Sequence, residues 1–242
     1  MKAQLKDAKI LGDAVSIMSE LVTEVKAKIT KEGLSIIAID PANIALIQLK
    51  IPASAFLKLE AEEETLCINL DDLKQVLRRI SSGPLIIERD ENMLKLSSED
   101  GKRFFSLALI SLEQEEKKIP DLEFSEKIEM DSYSFSEAVN DALIVADACS
   151  FETNVKSNSF IIESRGTINH ARTEISGEEA MLHIGEAKSK YSLQYLQKFI
   201  KASKFSDKTL IQFSKNYPLR LDFKSPEAEM LFILAPRVET EE

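Results

Sequence analysis

The chain has 242 residues, of which 44% are hydrophobic and 30% are charged. This balance is typical of a folded protein and excludes an intrinsically disordered one. The formal net charge of −10 argues against a surface that binds nucleic-acid phosphates everywhere, although it leaves room for a local basic stripe.

The chain carries no signal for export or for a membrane. No apolar run approaches the roughly 18 residues of a membrane span, and the first residues, MKAQLKDAKILGD, lack the apolar core of a signal peptide. Cys67 and Cys149 are the only cysteines, too few for a disulfide framework. We therefore expect two reduced, buried thiols, no membrane partner and a reducing compartment, the cytoplasm.

Two apolar stripes in the first half predict helices, because their members recur at spacings of three and four. The first consists of Leu11, Ala14, Val15, Met18, Leu21 and Val22, and the second of Leu70, Leu73, Val76, Leu77 and Ile80. Between and after them, turn residues separate five segments typical of strands. These segments are LSIIAID, IALIQLKI, PLIIERD, NMLKLSS and RFFSLALISL.

The second half repeats this order. Its helical stripes are Phe135, Ala138, Val139, Ala142 and Ala146, then Leu193, Leu196, Phe199 and Ile200. Positions 70, 73, 76 and 77 match positions 193, 196, 199 and 200 at one constant offset. The sequence therefore predicts two similar α+β domains, 1–111 and 126–242, each with two helices packed on β-sheets, joined by a charged connector at 112–125.

The sequence offers no catalytic constellation. It contains no phosphate-binding glycine motif, no G-x-S-x-G and no H-E-x-x-H. His170 and His183 have no cysteine near them in sequence, and the acidic clusters fit helix starts or solvated loops. We expect no enzyme, no metal and no cofactor; an enzyme with an unrecognised site is the competing hypothesis.

The second predicted helix of each repeat carries basic residues, although the protein as a whole is acidic. These residues are Lys74, Arg78 and Arg79 in the first repeat and Lys198, Lys201 and Lys204 in the second. Such cations can contact phosphates without reading base sequence. An ordinary solvated helix face remains the alternative.

Several stretches resemble the sliding clamps of the proliferating cell nuclear antigen family. They are GLSIIAIDPANIALIQLKIPASAF (33–56), LEQEEKKIPDLEF (112–124), SLQYLQKFIKASKFSDKTLIQF (192–213), YPLRLDF (217–223) and LAPRVETEE (234–242). The likeness covers nearly the whole chain. It implies a DNA clamp fold in which three two-domain subunits form a pseudo-six-fold ring around duplex DNA, with the six basic residues facing the DNA.

The resemblance also implies how subunits meet. Segment 103–111 of one subunit would pair with segment 169–176 of the next, because an exposed sheet edge is a template for another strand. The expected interface residues are Arg103, Phe105, Leu107, Leu109, Ala171, Thr173 and Ile175. The neighbouring subunits could be identical or paralogous copies.

A pocket for short partner peptides follows from the same likeness. Its expected residues are Ile39, Asn43, Ile44, Leu46, Ile119, Pro120, Pro218, Leu234, Ala235, Pro236 and Val238. Two positions depart from the family: Asn43 stands where many relatives carry histidine, and Lys117 stands where an apolar residue often precedes the Ile-Pro pair.

The expected partners are DNA polymerase, flap endonuclease, DNA ligase and a clamp loader. The protein would act as a processivity factor at the nucleoid, or in the nucleus if its source is eukaryotic. A duplicated α+β interaction module that does not encircle DNA is the alternative.

Overall fold

The computed structural model describes residues 1–112 and 117–237, which form two compact units. The first unit comprises Met1–Ile119 and Ser225–Met230. The second comprises Pro120–Lys224 and the chain from Leu231 onward. Within the described ranges, no helix has the length and apolar character needed to span a lipid bilayer.

The first unit follows the order strand, helix, five strands, helix, three strands. Its elements are β1 (Lys2–Leu5), α1 (Ala8–Met18), β2 (Glu24–Thr30), β3 (Gly33–Ile39), β4 (Ala45–Pro52), β5 (Phe56–Glu60), β6 (Glu64–Asn69), α2 (Leu70–Arg79), β7 (Leu85–Asp90), β8 (Met93–Ser98) and β9 (Phe104–Ala108).

The second part of the chain repeats the same order of elements. They are β10 (Glu126–Asp131), α3 (Ser132–Leu143), β11 (Ala148–Asn154), β12 (Ser159–Arg165), β13 (His170–Ser176), β14 (Met181–His183), β15 (Lys188–Ser192), α4 (Leu193–Phe199), β16 (Lys208–Phe213), β17 (Leu219–Lys224) and β18 (Glu229–Leu234). The predicted duplication of an α+β fold is confirmed.

The strands of the two units are also arranged alike. In the first unit, neighbouring strands follow the orders β5-β1-β7-β8-β9 and β4-β3-β2-β6. In the second part of the chain, the orders β14-β10-β16-β17-β18 and β13-β12-β11-β15 place corresponding strands in corresponding positions. Strands β9 and β13 each end a sheet in this arrangement. Their outer backbone groups therefore face no neighbouring strand within the described chain.

Polar side chains fix the starts of three helices. Asp7 accepts a hydrogen bond from the Lys9 amide at 2.9 Å at the start of α1, and Asn69 accepts one from the Asp71 amide at 2.9 Å at the start of α2. Asp131 accepts one from the Ser134 amide at 2.7 Å at the start of α3. Each bond satisfies an amide that has no partner inside its helix.

The two cores differ in chemistry. In the first unit the largest fully buried side chains are aliphatic, as with Leu5, Ile17, Met18 and Ile47. In the second they are mostly aromatic, and Phe151 lies at the centre of a cluster with ring centroids 5.3–6.2 Å away. The same order of elements is therefore packed around two unlike interiors.

The predicted helix and strand ends need correction. Helix α1 ends at Met18, so Leu21 and Val22 are buried in the following turn rather than on the helix. Strand β9 ends at Ala108, four residues short of the predicted segment, because the chain turns so that the Ile110 amide bonds to the Cys67 carbonyl. The expected strands also omitted β1, β2, β5 and β6. Of these, β1 and β5 are short, with four and five residues.

Candidate functional site

The loop between β3 and β4 is built around one carboxylate. Asp40 is 6% exposed, and its Oδ1 accepts hydrogen bonds from the amides of Ile44 at 2.8 Å and Ala45 at 2.7 Å. The Asp40 carbonyl accepts a further bond from the Asn43 amide at 3.0 Å. Asn43 has φ +55°, a conformation that asparagine tolerates better than most residues. These bonds fix the backbone that presents Ile44.

Three residues of the predicted peptide pocket are brought together here. Ile39 and Leu46 are directly paired across β3 and β4, and Ile44 lies in the loop that joins these strands. Ile44 is 39% exposed, whereas Leu46 is only 7% exposed. This group is an apolar surface with Ile44 as its most accessible member. Ile119, also in the first unit, is half-buried.

The second unit carries the other predicted pocket residues. Pro120 is exposed, Pro218, Ala235 and Pro236 are half-buried, and Leu234 is fully buried. Leu234 can therefore support the residues that follow it but presents no surface of its own. Val238 lies outside the described residues.

Three hydrogen bonds within the second unit hold the backbone next to the predicted pocket residues. The Tyr217 carbonyl, next to Pro218, accepts a hydrogen bond from the Tyr191 hydroxyl at 2.8 Å. Beyond Pro236, the Arg237 amide donates to the Lys190 carbonyl at 2.7 Å, and its guanidinium donates to Asp147 at 2.9 Å. The guanidinium lowers the pKa of the Asp147 carboxyl.

A cavity of about 450 Å³ lies in the first unit, beside Ile39. Its lining includes Ile37, Ile39 and Pro41, and also Lys26, Lys28 and Lys117. Sequence reasoning did not identify this cavity. The sequence signal for the cavity was the alternation of Lys26 and Lys28 with buried apolar residues. This alternation places both lysines on the outer face of a strand.

The predicted DNA-facing residues of the first unit lie on α2. Arg78 and Arg79 are exposed in its last turn, where cations are favoured by the helix dipole. Arg103 donates a hydrogen bond to the Arg79 carbonyl at 2.6 Å. Lys74 is half-buried, and its Nζ donates to the Ser19 hydroxyl at 2.9 Å. Lys74 is thus partly engaged within the unit.

The three lysines of the second unit do not lie on one α-helix. Helix α4 ends at Phe199, and residues Ile200–Phe205 form a 3₁₀ helix. A 3₁₀ helix has three residues per turn, so Lys201 and Lys204 lie above each other and both are exposed. Lys198 packs over the Tyr195 ring, with 5.5 Å between Nζ and the ring centroid. Lys201 and Lys204 thus form an exposed basic pair on the 3₁₀ helix, and their contact with DNA stays a prediction.

The predicted subunit interface falls on the strands β9 and β13. Phe105 and Leu107 are half-buried on one face of β9, whereas Arg103 and Leu109 flank the strand. Sequence reasoning missed Phe104, which is 59% exposed on the opposite face. On β13, Ala171 and Thr173 are half-buried and Ile175 is 6% exposed.

The titratable side chains of the described residues form ion pairs or are buried at several positions. In residues 1–112 and 117–237, no three His, Cys, Asp or Glu side chains are grouped so that they could hold a metal ion. A ring nitrogen of His170 lies 2.8 Å from a Glu163 oxygen, and Arg165 and His170 lower the pKa of that carboxyl. Burial raises the pKa of the Cys149 thiol to about 12, which leaves it an unreactive thiol at neutral pH.

Known proteins match nearly the whole chain. The family described as "Proliferating cell nuclear antigen, N-terminal domain" matches residues 1–133, and its C-terminal counterpart matches residues 118–238. A protein named DNA polymerase sliding clamp from Thermococcus onnurineus is 37% identical, over 96% of both chains. The protein of the same name from Nanoarchaeum equitans is 32% identical, over 98% of this chain and 99% of its own.

Solved structures agree with these sequence matches. The proliferating cell nuclear antigen of A. fulgidus, solved with the C-terminal region of FEN-1 bound, superposes with a TM-score of 0.92, 29% identity and 99% coverage of both chains. The Entamoeba histolytica protein superposes with a TM-score of 0.89 at 21% identity over 98% of both chains, which supports the fold. The chain therefore belongs to the proliferating cell nuclear antigen family of DNA sliding clamps.

Proposed function

We propose that this chain is one subunit of a trimeric ring that encircles duplex DNA and tethers replication and repair enzymes to it. The observation that carries the proposal is the match of nearly the entire chain, at a TM-score of 0.92, to a clamp solved with a nuclease segment bound. The DNA-bound ring, the processivity role and the peptide site are transferred from that family. The protein acts in this way without catalysing a reaction itself.

The charge distribution supports encirclement rather than tight binding. A net charge of −10 would weaken binding of an open surface to DNA, whereas a closed ring stays on DNA because of its topology. Exposed Arg78, Arg79, Lys201 and Lys204 would then contact phosphates weakly enough to allow sliding. Such a ring works where chromosomal DNA is, at the nucleoid in the cytoplasm or in a nucleus.

Strands β9 and β13 support the closure of the ring. Both end a sheet, so each offers a row of backbone donors and acceptors to another chain. Pairing of β9 with β13 of the next subunit is a head-to-tail contact, which closes into a ring when the rotation per subunit permits. The neighbouring subunit is a copy or a paralogue of this chain.

The apolar surface formed by Ile39, Ile44 and Leu46 supports the tethering role. With Ile119 of the same unit, it supplies apolar residues of the kind that a short helical peptide needs for its anchors. Pro120, Pro218, Ala235 and Pro236 of the second unit stay predicted members of the site. DNA polymerase, flap endonuclease, DNA ligase and the clamp loader are the partners we assign to it.

Retention on DNA of different topology tests the ring. We expect light scattering to give three times the mass of the chain, and we expect loaded protein to stay on nicked circular duplex DNA but to leave after linearisation. Equal retention on circular and linear DNA, or a chain that stays monomeric with its co-purified paralogues, would contradict encirclement.

Alanine substitutions test the peptide site separately. Ile119→Ala with Pro236→Ala should weaken binding of a peptide from the FEN-1 C-terminal region about tenfold or more, without changing the oligomer mass. Pro226→Ala is the matched control, since Pro226 is an exposed turn proline outside the proposed site. Unchanged affinity in the double variant would show that the peptide binds elsewhere.

A further inference from the structure

The cavity beside Ile39 has an apolar floor. Strand alternation places Ser35, Ile37 and Ile39 on the outer face of β3, and Ile37 and Ile39 are both half-buried there. Pro41 continues this surface into the following loop. A volume of about 450 Å³ lies in the range of cavities that bind ligands and is large enough for apolar side chains.

The rim of the cavity is basic. Lys26, Lys28 and Lys117 line it against a single acidic residue, Glu24. Lys28 forms an ion pair with Glu63, and Lys26 is also engaged in an interaction. Lys117 is exposed and, within the described chain, has neither a hydrogen-bond nor an ion-pair partner. Lys117 is therefore the most exposed of the three lysines on the rim, since Lys26 and Lys28 are half-buried.

The cavity adjoins the proposed peptide site. Ile39 lines the cavity and is also paired directly with Leu46, a member of that site. A peptide whose anchors rest on Ile39, Ile44 and Leu46 would thus lie next to the cavity. Lys117 also lines the cavity and lies two residues before Ile119, which belongs to the proposed peptide site. The cavity therefore adjoins that site both at Ile39 and at Lys117.

We propose that this cavity receives an apolar side chain of the partner peptide while Lys117 pairs with a carboxylate beside that side chain. The inference rests on the proposed function and adds a preference among partners. A small inorganic anion would make no use of the apolar floor, and a purely apolar peptide would make no use of Lys117. An acidic residue next to an apolar one satisfies both.

The expected preference is modest. The exposed Lys117 favours acidic peptides over neutral ones by the strength of one exposed ion pair. Such pairs change affinity by up to about fivefold, and salt weakens them.

A charge scan on a synthetic peptide tests the proposal. The probe is a peptide of the FEN-1 C-terminal region, in which each position that flanks an apolar residue is changed in turn to Asp and to Asn. Kd is measured by fluorescence anisotropy with the full-length protein at low and high salt. At one position we expect the Asp peptide to bind about threefold more tightly than the Asn peptide, with a smaller difference at high salt.

Variants of the protein assign this difference to Lys117. Lys117→Ala should abolish the preference for Asp, and Lys117→Glu should reverse it. Lys118→Glu should leave it in place, since Lys118 is an exposed neighbour that does not line the cavity. No preference at any position, survival of the preference in Lys117→Ala, or an equal effect of Lys118→Glu would overturn the inference.

A rim substitution tests the cavity itself. Thr65 is exposed at the rim, so Thr65→Trp can fill the cavity without changing the buried core. We expect it to weaken the Asp peptide about fivefold, whereas Lys58→Trp on β5 should not. Unchanged binding in Thr65→Trp would overturn the assignment of the cavity. Failure of every peptide to bind, even to the unchanged protein, would instead contradict the proposed function on which the inference rests.

Discussion

The Asp40 carboxylate accepts a hydrogen bond from the Ile44 backbone amide at 2.8 Å, and this bond sets the position of an exposed apolar side chain. The same oxygen accepts from the buried Ala45 amide at 2.7 Å. With the Ala42 amide, which donates to the other carboxylate oxygen at 3.3 Å, one acidic side chain replaces water for three amides of a loop that presents an apolar surface. The shape of the proposed peptide site depends on a residue that contributes no apolar contact.

Removing the Asp40 carboxylate should therefore weaken peptide binding. Asp40→Ala leaves the amides of Ala42, Ile44 and Ala45 without their acceptor, which costs about 1–3 kcal/mol where such groups are buried. We expect a lower urea midpoint and a several-fold weaker Kd for the FEN-1 region peptide. Asp40→Asn keeps one acceptor oxygen and should restore part of both losses. Full affinity in Asp40→Ala would show that the loop holds its shape without the carboxylate.

Reversing the charge of Lys201 and Lys204 on the 3₁₀ helix should reduce contact with DNA. Lys201→Glu with Lys204→Glu should shorten the lifetime of the ring on circular duplex DNA. The slope of binding against salt should fall by about one for each lysine that contacts a phosphate. The matched control, Lys156→Glu with Lys215→Glu, makes the same change of net charge at two exposed loop lysines. Equal losses in both variants would indicate an effect of net charge alone.

A charge on the outer strand β9 should open the ring. Leu107 is half-buried on this strand, and Leu107→Asp would place a carboxylate in the proposed subunit contact. We expect light scattering to show monomers with unchanged circular dichroism. Leu57→Asp is the control, because Leu57 is 56% exposed on β5, at the other end of the same sheet. A Leu107→Asp protein that remains trimeric would exclude β9 as the contact.

The aromatic core should be sensitive at its centre. Phe151 is fully buried and has four aromatic neighbours, so Phe151→Ala should lower the free energy of unfolding by about 3–5 kcal/mol in denaturant titrations. Tyr133 is 71% exposed, and Tyr133→Ala should change it by no more than about 0.5 kcal/mol. Similar losses in the two variants would contradict a central packing role for Phe151.

The helices were predictable from sequence because their apolar residues recur at spacings of three and four. At α2 the apolar stripe begins at Leu70, which is also where the helix begins. The end of α4 was harder to predict. Residues 199, 202 and 205 are apolar and 198, 201 and 204 are lysines, a spacing of three that suits a 3₁₀ helix. An α-helix tolerates the same residues, so the sequence alone did not distinguish a 3₁₀ helix from an α-helix at this position.

Only part of the candidate site could be predicted from the sequence. Ile39, Ile44 and Leu46 could be named from the family likeness, and their adjacency follows from the pairing of β3 with β4. The cavity could not be named. The shape of the cavity depends on how the side chains of two neighbouring strands are spaced and on the position of Lys117. No local sequence pattern encodes either of these.

The unlike interiors of the two units have a consequence for synthesis. Tandem copies of one fold risk exchanging strands while the chain is still being made, because each strand has a near-equivalent elsewhere. Here a strand that carries Phe151 or Phe213 would bring rings into a space shaped for Leu and Ile, and such overpacking is costly. The divergence between the copies therefore disfavours insertion of an aromatic core strand of one copy into the aliphatic core of the other.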